Sequence, residues 1–181
     1  MVEIVNKILA VLTVGGQISI ILGLIYFLFN RKDKNNRLIN FFANNGLVFA
    51  FLVALVSVAS SLFYSDIAGF EPCRLCWFQR IFMYPQIFLL GLAWLREEDF
   101  IIDYSLLLAG VGTLFSVYHN YIYYGGSPLI PCSAFGLGVS CTTRYVQEFG
   151  YITIPLMALT GFILFLGFLF LKKWSRNNSI S

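Results

Sequence analysis

The apolar residues of this chain fall in long blocks separated by short polar breaks, the arrangement a bilayer demands rather than the alternation of a half-buried sheet. Five blocks approach the roughly 20 apolar residues needed to cross about 30 Å of hydrocarbon. They run from Ile8 to Phe29, Phe41 to Tyr64, Trp77 to Leu95, Ser105 to Tyr124 and Ile152 to Leu171, and each predicts a transmembrane helix. The first outlasts the roughly 7 to 15 apolar residues of a signal-peptide core, and no small-residue cleavage site follows it, so it is expected to remain as a span. Gly15, Ser19 and Gly23 recur on it at four-residue spacing. They offer one smooth face for another helix to pack against, unless they are the scattered small residues common in any span.

Composition agrees with the pattern. Of 181 residues, 59% are hydrophobic and 12% charged, against about half and about one quarter in soluble domains. One small all-α integral membrane domain follows, covering residues 1–181. The net charge of +3 does not point to nucleic acid, because the basic residues gather at the ends of apolar blocks, where they orient a membrane protein. One set of loops carries Arg31, Lys32, Lys34, Arg37, Arg96, Lys172, Lys173 and Arg176; the other carries Lys7, Arg74, Arg80 and Arg144. The richer set belongs in the cytoplasm, with Glu97, Glu98 and Asp99 counting little. The N-terminus is then outside, and the loops Ser65 to Cys76 and Gly125 to Gly150 face outward.

All four cysteines lie in those two loops: Cys73 and Cys76 in one, Cys132 and Cys141 in the other. Two spans separate the pairs, so they share a membrane face whichever way the chain is inserted. In an oxidising compartment such cysteines form disulfides. Pro72 suits the first position of a helix, which would place Cys73 and Cys76 in its first turn, at i and i+3 on one face. The positive end of the helix favours a thiolate there. Arg80, at i+4 from Cys76, adds a cation and donors for a bound carbonyl oxygen; taken alone it could equally snorkel to the interface. A structural disulfide is the alternative for the C-x-x-C pair, but its spacing is the one used in exchange chemistry. Cys132 and Cys141 bracket a loop softened by Gly136 and Gly138. They are either a loop staple or a second redox pair, and four cysteines allow three connectivities. The C-x8-C spacing fits a zinc site poorly, so no metal is assigned.

Pro72-Cys73-x-x-Cys76-Trp77-x-Gln79-Arg80, with two further cysteines in the next outward loop, resembles the signature of the DsbB/BdbC family of disulfide bond formation proteins. The likeness extends over about three quarters of the chain, through Tyr118-His119 and the stretch from Phe149-Gly150 to Pro155. It implies a four-helix transmembrane bundle over about residues 41–172, to which Ile8 to Phe29 adds an extra N-terminal span. It also implies an enzyme of the cell membrane, a protein-dithiol:quinone oxidoreductase with its redox loops outside, whose quinone is ubiquinone or menaquinone. Carried onto these residues, a DsbA-like thioredoxin-fold dithiol attacks Cys132 and Cys141 pairs transiently with Cys73. Cys76 is left as the thiolate that meets quinone, supported by Arg80. His119, the single histidine, occupies a position near the quinone; read without the family, it is an interfacial histidine bonded to a backbone carbonyl. The short C-x8-C loop looks like the Gram-positive type, so no long membrane-lying segment is expected between those cysteines.

Two other readings remain. A vitamin K epoxide reductase-like quinone oxidoreductase also uses two cysteine pairs on a helical bundle, but in the opposite order along the chain. A non-enzymatic membrane subunit with structural disulfides would need neither quinone nor partner.

Overall fold

The computed structural model describes residues 1–30, 36–96, 100–127 and 140–179. Arg31, Lys32, Lys34 and Glu97 to Asp99 lie outside them. Among the described residues six α-helices follow in order: α1 (Val2–Asn30), α2 (Arg37–Asn44), α3 (Gly46–Leu62), α4 (Arg74–Arg96), α5 (Ile101–Tyr123) and α6 (Ile154–Ser179). A π-helical turn, Phe63–Ile67, extends α3. Two-residue strands β1 (Gln147–Glu148) and β2 (Ile152–Thr153) pair antiparallel just before α6. Their turn runs through Phe149 and Gly150, both in the left-handed region at φ 51 and 79, and closes with Tyr151 N donating to Glu148 O at 3.3 Å. Glycine takes such a conformation without steric cost.

Among the described residues, four helices are long and apolar enough to cross a membrane: Val2–Asn30, Gly46–Ile67, Ile101–Tyr123 and Ile154–Asn177. The remaining expected span, α4, is 23 residues long but is made less apolar by Gln79, Arg80, Tyr84 and Gln86. Its polar side chains turn inward, as a helix in lipid requires. Gln79 and Gln86 are buried; the Gln86 amide donates to Phe82 O and Ser105 O at 3.2 and 3.4 Å.

Helices α3, α4, α5 and α6 pack in a ring, each against two neighbours, while α1 and α2 lie against α6. The ring's core is formed by residues such as Leu90, Ile102, Ala109, Phe162, Phe165 and Leu169. Lipid offers no hydrophobic drive for helices to associate, so close van der Waals approach must do it. Gly112 leaves room for the Phe162 ring, and a Cβ at Gly46 would lie 2.7 Å from Phe168 O. Leu107, Leu114 and Phe88 project outward, exposed, as lipid-facing residues should.

Two local expectations change. The block Phe41 to Tyr64 is not one helix: it breaks at Asn45 (φ −93, ψ 7), whose side chain donates to Phe41 O at 2.9 Å. Asn36 caps the short α2 by accepting from Leu38 N and Ile39 N. Nor do Gly15, Ser19 and Gly23 form the packing face of α1. Nothing lies within 4 Å of a Cβ at Gly15 or Gly23, and the Ser19 hydroxyl bonds back to Gly15 O. The contact is one residue round, at Gly16, where a Cβ would meet Leu164 Cδ1 at 2.9 Å and Thr160 Cγ2 at 3.2 Å. Ala10 and Thr13 are buried beside it, and Gln17 Nε2 reaches Thr160 Oγ1 at 3.4 Å. Gly16→Ile is therefore expected to weaken the docking of α1 by about 1–3 kcal/mol through overpacking, whereas Gly15→Ile should leave it unchanged. Cross-linking between cysteines placed at positions 17 and 160, in a background lacking the native ones, reads the difference; equal yields in the two variants would contradict this packing.

Candidate active site

The cysteine motif sits where the chain re-enters the bundle. Helix α4 starts at Arg74, so Pro72 is not its first residue: Cys73 is the flanking position, and its carbonyl accepts from Trp77 N at 3.1 Å. Cys76 occupies the third helical position. The sulfurs of Cys73 and Cys76 still meet, 3.1 Å apart, as i and i+3 positions at a helix start allow.

Cys141 arrives from the other loop. It is buried together with Cys73, Leu75 and Ile122 in one cluster, against which Cys76, Phe115 and Tyr118 pack. Loops separated by two helices thus deliver cysteines to the same end of the bundle. Cys132, with Pro131, Gly136 and Gly138, lies outside the described residues.

His119 joins the two loops. It is buried on α5, with Nε2 lying 3.3 Å from Cys141 O and 3.6 Å from Cys73 Sγ. A carbonyl oxygen only accepts, so Nε2 carries the proton in the neutral ring. Nδ1 is then an acceptor, and the buried Gln79 amide stands 3.3 Å from it with its nitrogen. Gln79 therefore fixes the tautomer in which His119 donates toward Cys141 O and the Cys73 sulfur. Both sequence readings of His119 meet here, since it bonds a backbone carbonyl and faces the reactive pair. The role of Gln79 had no signal beyond its place in the motif, because its partner is 40 residues away.

The electrostatics separate the two thiols, which lie just ahead of the membrane-spanning part of α4. The hydrogen bond from Cys73 holds the Cys76 thiol below its ordinary range, helped by the Arg80 charge and opposed by burial. The same contact and burial push the Cys73 thiol up to about 12, against the pull of His119. Of the two sulfurs, Cys76 is the one whose charged form is favoured. Arg80 is anchored to α3, its Nε donating to Ser61 Oγ at 2.9 Å and Nη2 to Ser61 O at 3.0 Å. Its guanidinium lies 5.3 Å from the Trp77 ring centre. Ser61, invisible in the motif, decides where this cation sits.

Cys73, Cys76, Arg80 and His119 all line one cavity of about 400 Å³ between α1, α3, α4, α5 and α6. From Cys73, just ahead of α4, it extends along that helix to Tyr84, about 16 Å at 1.5 Å per residue. The cysteine end is polar, with Arg80, Ser61 and His119; the deeper end is apolar, with Leu52, Val53, Met83 and Leu164. Leu9, Leu12 and Thr13 of α1 contribute to its wall. Donor atoms of Cys73, Cys76 and His119 also fall within 4.8 Å of one another, a third donor that the C-x8-C spacing could not reveal. Among the described residues this group remains one ligand short of the four usual at structural zinc.

The profile of disulfide bond formation protein DsbB matches residues 43–172, which include α3, α4, α5, most of α6 and the residues Cys73, Cys76, Gln79, Arg80, His119 and Cys141. The chain belongs to the DsbB family. It is 39% identical over 139 residues to "Disulfide bond formation protein C" of Bacillus subtilis (strain 168), covering 74% of this chain and 98% of that protein. It is also 42% identical over 113 residues to "Probable disulfide formation protein C 1" of Bacillus cereus (strain ATCC 10987 / NRS 248), covering 61% of this chain and 78% of the relative. No solved structure matches. This DsbB-family membrane protein thus has the helical composition and cysteine motif of an oxidoreductase of disulfide bond formation, with α1 preceding the part that the family profile covers.

Proposed function

We propose that the protein re-oxidises a DsbA-like thioredoxin-fold dithiol outside the cytoplasm and passes the two electrons to membrane quinone. The observation that carries this reading is a polarised thiol pair opening into a cavity that is polar at the sulfurs and apolar toward the bilayer. A cavity of about 400 Å³ falls within the range of small-molecule sites. A quinone ring needs donors for its carbonyl oxygens and its tail needs an apolar path, and both kinds of surface are present. Arg80 and His119 would hold the ring end, with Leu52, Val53 and Met83 along the tail.

In the exchange sequence, a partner thiolate attacks Cys132 of a Cys132–Cys141 disulfide, and the second partner thiol resolves the mixed disulfide. Cys141 then attacks Cys73 of a Cys73–Cys76 disulfide, expelling Cys76 as the thiolate that Arg80 favours. Cys132 attacks Cys141 in turn, restoring the loop disulfide and releasing Cys73. Quinone, when bound, accepts two electrons and two protons as the Cys73–Cys76 dithiol closes, and leaves as quinol. His119 is placed to donate to the Cys73 sulfur while it is anionic. The proximity of Cys141 and Cys73 supports the middle step.

The whole chain is read as one membrane domain of the cell membrane, with its cysteine end outward. Lys172, Lys173 and Arg176 cluster at the C-terminal end of α6, the end opposite the cysteines, where Lys173 and Arg176 pair with Asp103 at 2.8 and 3.7 Å. Under the positive-inside rule this cluster supports a cytoplasmic C-terminal end. The test is reconstitution of the purified protein with a reduced thioredoxin-fold dithiol protein and a soluble quinone. Quinone absorbance should fall only when both proteins are present, and a fall independent of the dithiol protein, or none at all, would reject the assignment.

A further inference from the structure

Two buried hydroxyls on the cavity wall lack a hydrogen-bond partner among the described residues: those of Tyr64, in the π-helical turn after α3, and Tyr123, the last residue of α5. The residues are only 6% and 7% exposed. Their rings are fixed by other means. Tyr64 stacks on Phe70, with centroids 5.8 Å apart and planes at 12°, and Phe70 stacks on Tyr145 at 4.6 Å. Tyr123 lies beneath the Arg144 guanidinium at 5.9 Å and meets the edge of Tyr124. Packing therefore makes no use of the oxygens, and a buried hydroxyl without a partner disfavours the fold relative to phenylalanine. Tyr84, also on the cavity wall, differs in that its hydroxyl donates to Ser61 Oγ at 3.2 Å.

The cavity's cysteine end is thus rich in donors: two phenols, a guanidinium and the His119 ring. The Glu71 carboxylate is also on the wall, but neither phenol reaches an acceptor among the described residues, and the apolar remainder of the cavity favours a neutral one. We propose that Tyr64 and Tyr123 donate hydrogen bonds to the carbonyl oxygens of the quinone, and so hold its ring against the cysteine pair. This rests on the quinone reading above and assigns it two residues outside the cysteine motif.

The test is equilibrium binding, followed by tryptophan quenching, of a short-chain benzoquinone and a short-chain naphthoquinone to the full-length protein in detergent. Thermal unfolding without quinone is recorded in parallel. Tyr64→Phe and Tyr123→Phe are each expected to weaken binding roughly five- to tenfold, the worth of one hydrogen bond, with an unfolding midpoint unchanged or raised. Ser105→Ala removes a buried, unpartnered hydroxyl that does not line the cavity, and should alter neither affinity nor pocket. Unchanged affinity in either phenylalanine variant removes that tyrosine from the site. A midpoint that falls in step with affinity assigns the hydroxyl to the fold and overturns the proposal. Wild-type protein that binds neither quinone rejects the quinone reading itself, an outcome separate from failure of the tyrosine assignment.

Discussion

Cys76→Ser is expected to reduce dithiol-dependent quinone reduction to background while leaving exchange between the partner and the Cys132–Cys141 loop intact. Serine cannot form a disulfide, so the oxidising equivalent generated at the quinone would have nowhere to reside. The geometry predicts that the two cysteines of the motif fail differently. Cys76 is the sulfur whose charge is favoured, by the Cys73 thiol and Arg80; Cys73 is the buried sulfur held protonated beside Cys141. Cys73→Ser should also stop turnover, but by severing the link to the loop, and should leave Cys76 open to rapid alkylation. Alkylation rates and quinone consumption measured on both variants check this, and persistent turnover in Cys76→Ser would remove that residue from its role.

The second large effect is expected at Arg80. Its guanidinium holds Ser61 through two hydrogen bonds and supplies charge that lowers the Cys76 thiol. Arg80→Met removes both while filling similar space. Charge-assisted hydrogen bonds contribute about 1.5–3 kcal/mol, so activity near neutral pH should fall roughly 10- to 100-fold. The direction with pH follows from the sign of the shift. A cation that lowers the thiol keeps Cys76 ionised at lower pH; without it, the acid limb of the rate profile and of Cys76 alkylation moves to higher pH. Arg80→Lys retains charge but loses the fork that grips Ser61, so its pH profile should stay nearer the wild type while quinone binding weakens. An acid limb in Arg80→Met that coincides with wild type would show that the cation does not act on the sulfur.

Much of this site was legible because its physics is local. The i, i+3 spacing of Cys73 and Cys76, the helix start beneath them and Arg80 one turn further on depend on residues within eight positions of each other. What was not legible is tertiary. Nothing in the sequence pairs Arg80 with Ser61, His119 with Cys141 O, or Gln79 with His119, because each partner comes from another helix or loop. The spans were visible for a similar reason: length and apolarity are properties of a single segment. Their rotation about their own axes was not. A helix apolar on every side carries no amphipathic stripe to show which face meets a neighbour, so Gly15 and Gly16 look equivalent until α6 is in place. Helix α4 is the instructive intermediate, since Gln79, Arg80 and Gln86 lower its apolarity and at the same time mark the face it turns inward.

Turnover by this route depends on sulfur exchange between the two loops. Its most direct test is mass spectrometry of non-reduced, acid-quenched protein carrying Cys76→Ser and Cys132→Ser after mild oxidation. The predicted result is a peptide in which Cys73 is joined to Cys141. Recovery of the two cysteines only as separate alkylated thiols, with impermeant reagent reaching them from opposite faces of the membrane, would contradict it.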